Sequence, residues 1–285
     1  MPTKVNNGDH LTTEMFEQLK KIELSILLDV AMLCEKHNLT YYLIGGTLLG
    51  AIRHDGFIPW DDDIDIAMPR KDFETFQKIA KTELPESLFL HYGTTDSEYY
   101  LPIIKIKKNG TVFEEESASP NIKHKGIFID IFPLDNAKKN SGFFFHTKGR
   151  ILKELKSLLF LKVNEKTTLH TVVPWKKVVL AILKPVPTSA IFRILTSFMQ
   201  SNTDDNSSYY VNYGSQYGYK KQTMPKTMYD PTATTEFEGY TFQIPGNTTQ
   251  LLERIYGKNY MDLPPVEKRI THKPKRIQLK EEINL

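Results

Sequence analysis

Cysteine is almost missing from this 285-residue chain, where Cys34 stands alone. An internal disulfide and a cysteine-rich zinc site are thereby excluded, and a reducing compartment is fitting. The apolar neighbours Ala31, Met32 and Leu33 mark Cys34 as a buried, inert thiol. Long apolar runs are also lacking. None approaches the roughly 20 residues of a spanning helix, and Met1 to His10 is polar where a secretory leader would be apolar. The expected location is cytoplasmic. Nor is there strong net charge: the formal balance is +3, which gives no reason to expect a nucleic-acid partner. At 40% hydrophobic and 25% charged residues, the chain has the make-up of an ordinary globular protein.

The charge that is present is unevenly placed. Between Lys138 and Gln200 stand twelve Lys or Arg against Glu154 and Glu165, a local excess of ten, so the remainder carries −7. Apolar residues interleave with these bases at helical spacing, from Phe143 to Leu161, Val172 to Leu183 and Ala190 to Met199, with breaks at Pro185 and Pro187. Two readings remain open. The segment 141–200 is either an interfacial surface lying on anionic lipid as a peripheral membrane contact or a helical subdomain with a basic back. Upstream, Leu11 to about His37 has helical periodicity and is given no chemical role.

The chemistry is concentrated in Tyr41 to Arg70. Tyr41 to Ile44 has strand length and composition. Gly45 and Gly46 then permit a tight turn, and Thr47 can cap a helix bearing Leu48, Leu49 and Ile52. Backbone N–H groups at such a turn suit a phosphate. In Trp60-Asp61-Asp62-Asp63-Ile64-Asp65-Ile66, acids alternate with isoleucines. As a strand, Asp63 to Ile66 would point Asp63 and Asp65 to one face and the isoleucines to the core. Two ordered carboxylates need a cation, and hard oxygen ligands suit Mg²⁺ or Mn²⁺. A solvated acidic turn is the plainer alternative. Gly126 to Asp135 is a second such stretch, an apolar strand interrupted by Asp130, whose burial would require a cation or a proton. Asp135 better suits a structural role in satisfying loop N–H groups. Lys105 and Lys107 share a strand face, and either one can meet a diphosphate or merely face solvent. Asn109-Gly110 predicts a hairpin returning through Thr111 to Glu115.

Gly-Gly-Thr-Leu-Leu-Gly-Ala-Ile-Arg-His (residues 45–54) and Gly-Phe-Ile-Pro-Trp-Asp-Asp-Asp-Ile-Asp (residues 56–65) resemble the signature of the LicD/fukutin family, a branch of the nucleotidyltransferase superfamily. Weaker likeness continues to Tyr256-Gly257, Asp262-Leu263-Pro264-Pro265 and Glu267 to His272. The resemblance implies an α/β (α+β) fold: a nucleotidyltransferase-like mixed sheet carrying the acids, with flanking helices and a helical subdomain. The expected division is a catalytic core over 1–140, a basic helical subdomain over 141–202 and a closing segment over 203–285. It also implies metal-dependent transfer of phosphocholine from CDP-choline to a hydroxyl of a cell-surface glycan, such as a lipid-linked glycan or teichoic acid precursor or lipopolysaccharide. Ribitol, glycerol or ethanolamine phosphate from the corresponding CDP-alcohol is the alternative, as is nucleotidyl transfer to a small molecule. Asp63, Asp65 and Asp130 are the expected catalytic and metal-binding trio. Gly45, Gly46, Thr47, Lys105, Arg269 and His272 are the expected phosphate-binding groups. Among Tyr209, Tyr210, Tyr213, Tyr217 and Tyr219, aromatic faces can attract a quaternary ammonium or simply pack a loop-rich region.

Overall fold

A computed structural model describes residues 4–5, 12–115, 119, 121–138, 143–164, 173–269 and 274–279. The architecture is mixed α and β. Its central sheet runs in the order β2 (Tyr42–Leu43), β3 (Asp65–Pro69), β7 (Phe128–Ala137), β5 (Ile104–Lys108), β4 (Leu88–His91). β3 and β7 are parallel, and the other neighbours are antiparallel. Beyond Leu134 the long strand β7 leaves β3 and pairs through Asp135 to Ala137 with β8 (Tyr209–Val211), which pairs in turn with β9 (Thr223–Pro225).

Alternation along β7 explains why it sits at the centre. Ile129 and Ile131 are fully buried on one face, while Asp130 and Phe132 occupy the other. Against the apolar face lies α1 (Thr13–Lys36), whose Leu19, Ile26, Leu27 and Val30 are buried at helical spacing. Thr12 caps α1 by accepting a hydrogen bond from Met15 N–H at 3.2 Å. α3 (Arg70–Glu83) follows β3 directly and inserts Phe73 and Phe76, both wholly buried. Burial of each such ring stabilises the fold by roughly 1.5–3 kcal/mol.

Both edges of β5 are occupied, by β4 and β7. The predicted hairpin partner, Thr111 to Glu115, therefore finds no free ladder on β5. It forms β6 (Val112–Glu114) instead, which pairs with β12 (Arg276–Gln278), itself paired with β1 (Lys4–Val5). The Asn109-Gly110 turn is real, with Gly110 at φ 77°, but it redirects the chain to a second sheet.

Three helices follow: α4 (Phe143–Val163), α5 (Pro174–Leu183) and α6 (Thr188–Met199). Leu152 and Leu159 of α4 and Ile191, Phe192, Leu195 and Met199 of α6 join the core that the sheet forms, and the ring of Phe192 meets Tyr92 edge-on at 5.1 Å. α5 is different. Trp175, Val178 and Ile182 are exposed. Among the described residues no single helix is long and apolar enough to cross a membrane. α5 and α6 together reach that length but bend by 110°.

A hairpin, β10 (Ala233–Phe237) and β11 (Tyr240–Ile244), and then α7 (Thr248–Tyr256) lie between β9 and β12. The hairpin turn uses Glu238 and Gly239 at φ 52° and 80°. Its tip pins the loop ahead of the acids: Glu238 N–H donates to Asp55 O at 2.9 Å, and Phe57 N–H donates to Glu238 Oε1 at 2.9 Å.

Candidate active site

β3 begins at Asp65, so Asp63 lies in the loop before it rather than on the strand. The strand starts there because Asp65 is fixed on both sides of its peptide: its N–H donates to Thr47 Oγ1 at 2.8 Å and its carbonyl accepts from Ile44 N–H at 3.1 Å. Thr47 is thus buried in a strap between helix and strand and caps nothing. α2 (Gly45–His54) starts two residues earlier, after Ile44, with no side-chain cap. In the parallel ladder Asp65 is directly opposite Asp130, and Asp130 N–H donates to Ile64 O at 2.9 Å.

Asp63, Asp65 and Asp130 line one cavity of about 340 Å³ together with Gly45. The start of α2 abuts the acids closely enough to require glycine. A Cβ on Gly45, which sits at φ 58°, would lie 3.1 Å from Asp65 Oδ2, and one on Gly46 would overlap Asp61 Oδ2. Placing carboxylates against a helix N-terminus offsets part of their charge. The balance remains unfavourable for ionisation. Burial first, then repulsion from Asp63, Asp130 and Asp61, holds the Asp65 carboxyl well above the usual carboxylate range. Burial likewise raises Asp130 to about 6, although Lys105 opposes the shift.

Lys105 is the cation the fold supplies. It is buried, its Nζ lies 3.1 and 3.2 Å from the two Asp130 oxygens and 3.3 Å from Glu115, and it does not line the cavity. Neighbouring Lys107 is equally buried and donates to His124 O at 2.8 Å. Burial and the charge of Lys105 lower it to about 7. Neither lysine is the exposed sheet-face charge that the sequence left open. Asp135 forms a bidentate pair with Arg70 at 2.8 and 2.9 Å, so a guanidinium satisfies it where loop N–H groups were expected.

A larger cavity of about 870 Å³ shares Gly45, Asp63 and Asp65 and extends past Trp60, Arg53 and Lys268. Arg269 does not line it; its guanidinium stacks on Trp60, 4.4 Å from the ring centroid, and donates to Pro264 O at 3.1 Å. Arg53, which sequence reasoning passed over, lies at the rim and donates to the carbonyls of Tyr260 and Asp262. His272 lies outside the described residues.

The tyrosines do not form a five-membered cage. Tyr209 and Tyr210 belong to β8, and Tyr219 packs on Phe145. Tyr217 alone of the five faces the acidic cavities, where it meets Tyr256 edge-on at 6.0 Å, while Tyr100 and Tyr229 line the smaller one. Glu23 was also missed. It lies on buried α1 with Oε2 lacking a hydrogen-bond partner, and burial, then Asp62 and Asp63, raises its pKa well above the usual range. Helical periodicity gave no sign that α1 passes beneath the acidic loop.

The donor set suits a hard divalent cation through Asp63 and Asp65, since Mg²⁺ takes one or two carboxylates and completes its shell with water and phosphate oxygens. A closed cage is not preformed: among the described residues, no three His, Cys, Asp or Glu side chains are gathered at metal-binding separation.

Residues 38–164 match the nucleotidyltransferase domain of the LicD/FKTN/FKRP family. The chain is 30% identical over 254 residues to the lipopolysaccharide cholinephosphotransferase LicD of Haemophilus influenzae, covering 86% of this chain and 90% of that protein. It is also 40% identical over 131 residues to an uncharacterized protein of Rickettsia typhi, covering 46% of this chain and 38% of that one. A similar protein of Rickettsia prowazekii is 40% identical over 149 residues, covering 49% and 52%. With the acidic residues 61–65, the Gly45-Gly46 bend and Asp130 all inside the matched region, the chain belongs to the LicD/FKTN/FKRP family.

Proposed function

We propose that the protein is a phosphotransferase that moves phosphocholine from CDP-choline to a hydroxyl of a cell-surface glycan. One observation carries this reading: Asp65 and Asp130, opposite each other on parallel strands, share a cavity with Asp63 against the glycine start of α2. Similarity to a lipopolysaccharide cholinephosphotransferase over most of both chains favours choline over ribitol, glycerol or ethanolamine.

The larger cavity accommodates the nucleotide, with Trp60 offering an indole face and Arg53 and Lys268 offering charge to the phosphates. Gly45 and Gly46 bring backbone N–H groups to a phosphate oxygen. Asp63 and Asp65 would hold Mg²⁺ or Mn²⁺. Such an ion, when bound, neutralises the diphosphate and the developing charge of the leaving CMP. Asp130, with a pKa raised to about 6, accepts the proton of the attacking glycan hydroxyl near neutral pH. Lys105 keeps that carboxylate oriented. The oxygen–phosphorus bond to the acceptor forms at the phosphorus carrying choline, and the bond to the CMP oxygen breaks. Tyr217, with Tyr256 and Tyr100 nearby, offers aromatic faces to the trimethylammonium group.

Peripheral membrane contact belongs to the same reading. Trp175, Val178 and Ile182 form one exposed stripe on α5, and Lys177 and Lys184 are exposed on the same helix and just beyond it. Such a surface suits anionic lipid and would bring the enzyme to a lipid-linked acceptor.

The direct test is Asp63→Asn, assayed for CMP release from CDP-choline with Mg²⁺ and a glycan acceptor. Turnover should fall by about three orders of magnitude, judged from typical metal-site and electrostatic contributions. Unchanged turnover would refute the assignment.

A further inference from the structure

A third cavity adjoins the smaller acidic one and has the opposite charge. It measures about 550 Å³ and lies between α4 and the 213–221 loop, sharing Ser215, Gln216 and Tyr217 with the smaller acidic cavity. Lys153 and Lys156 enter from α4, and Lys220 and Lys221 enter from the loop. No Asp or Glu appears among the described residues that line it. Four ammonium-bearing side chains thus line one cavity, and taking such a charge out of water is costly. Lys156 is half-buried, and burial alone lowers its pKa, with no carboxylate acting in opposition. It donates instead to the carbonyl of Tyr213 at 2.5 Å.

The framework is held in place before any ligand arrives. Arg254 on α7 ties down the loop backbone, donating to the carbonyls of Lys221 at 3.0 Å, Lys220 at 3.2 Å and Thr223 at 2.9 Å. On the other side Tyr219 packs so closely on Gly149 of α4 that a Cβ there would overlap its ring, and its hydroxyl donates to His146 O at 3.3 Å. With the backbone anchored, the ordering cost of binding an anion is confined to the lysine side chains.

We propose that this cavity is an anion subsite for the acceptor, taking a phosphate group carried by the glycan while the attacking hydroxyl reaches past Gln216 and Tyr217 to Asp130. The inference rests on the proposed transferase reading and adds to it the substrate class, a phosphorylated rather than a neutral sugar. The donor's diphosphate is the weaker occupant. Its reacting phosphorus must reach Asp63 and Asp65, which line the two acidic cavities and not this one.

Binding without turnover separates this inference from the reading beneath it. Isothermal titration of the full chain with glucose 6-phosphate and with glucose should show at least tenfold tighter binding of the phosphorylated sugar. The double substitution Lys153→Gln with Lys221→Gln, both at exposed positions, should erase that preference and leave the affinity for CDP-choline within twofold. Equal binding of the two sugars would overturn the subsite, as would a double variant that loses CDP-choline but keeps the sugar phosphate. A variant that loses phosphatidylglycerol vesicles while keeping the sugar phosphate would assign the lysines to lipid and overturn it too. Phosphate-selective binding in a protein that transfers nothing from CDP-choline would leave the subsite standing and remove the transferase reading.

Discussion

Lys105→Met should destabilise the protein in a way that depends on pH, because the lysine is what allows Asp130 to ionise in the interior. Its Nζ sits 3.1 Å from Asp130 Oδ1, with the lysine side chain 3% and the aspartate side chain 18% exposed. Methionine preserves most of the volume and removes the charge. In the wild type the Asp130 pKa is raised from 3.8 to about 6. A folded pKa above the unfolded one means stability that is complete below the unfolded value and lost as pH rises through the folded value. For the wild type that loss stops above about 6. Without Lys105 the folded pKa moves higher, and the loss continues at about 1.4 kcal/mol per pH unit. The gap between variant and wild type should therefore widen by up to about 2 kcal/mol between pH 6 and pH 8. Urea denaturation of both proteins at the two pH values measures it. An equal gap at pH 6 and pH 8 would show that Lys105 does not govern the charge on Asp130.

Other perturbations separate scaffold from site. Arg70→Met strands buried Asp135, whose two oxygens accept from Arg70 at 2.8 and 2.9 Å, and should cost about 3–5 kcal/mol in chemical denaturation. His91, fully buried and 3.1 Å from Asp96, is lowered to about 3 by burial and by Lys107. The unfolded state takes up a proton below about 6.5 and the folded state does not, so stability falls as pH drops from about 6.5 toward 3. His91→Gln should flatten that limb in thermal melts. Gly46→Ala pushes a methyl group into the Asp61 carboxylate and should lower turnover at least tenfold with little change in melting temperature; unchanged turnover would show that the close approach is not needed. Trp175→Ala with Val178→Ser should weaken sedimentation with anionic vesicles, and unchanged sedimentation would remove α5 as the lipid contact.

What the sequence disclosed is what local periodicity records. α1, α4, α5, α6 and the strands around residues 42, 66, 106 and 130 lie close to where side-chain spacing places them, because a buried face imposes a period on each. The glycine bend and the acids were legible for a different reason: residue types that are costly together mark a site. Pairings between distant segments leave no such trace. Nothing near Val112 announces that its partner strand is Arg276–Gln278, and nothing in α1 announces that Glu23 lies under the acidic loop. Asp63 falls outside β3 because the strand is started by Thr47 and Ile44, residues far along the chain. The five tyrosines are close in sequence, yet β8 carries two of them out of reach of the cavity that Tyr217 lines.

The central claim is that the acidic cavity directs a glycan hydroxyl to the choline-bearing phosphorus. Phosphorus-31 NMR of the products formed from CDP-choline, Mg²⁺ and a phosphorylated glycan acceptor tests it most directly. The account predicts free CMP and a new phosphodiester linking choline to the glycan, both absent with Asp63→Asn. Free phosphocholine with CMP attached to the acceptor would contradict it, because attack would then fall on the other phosphorus.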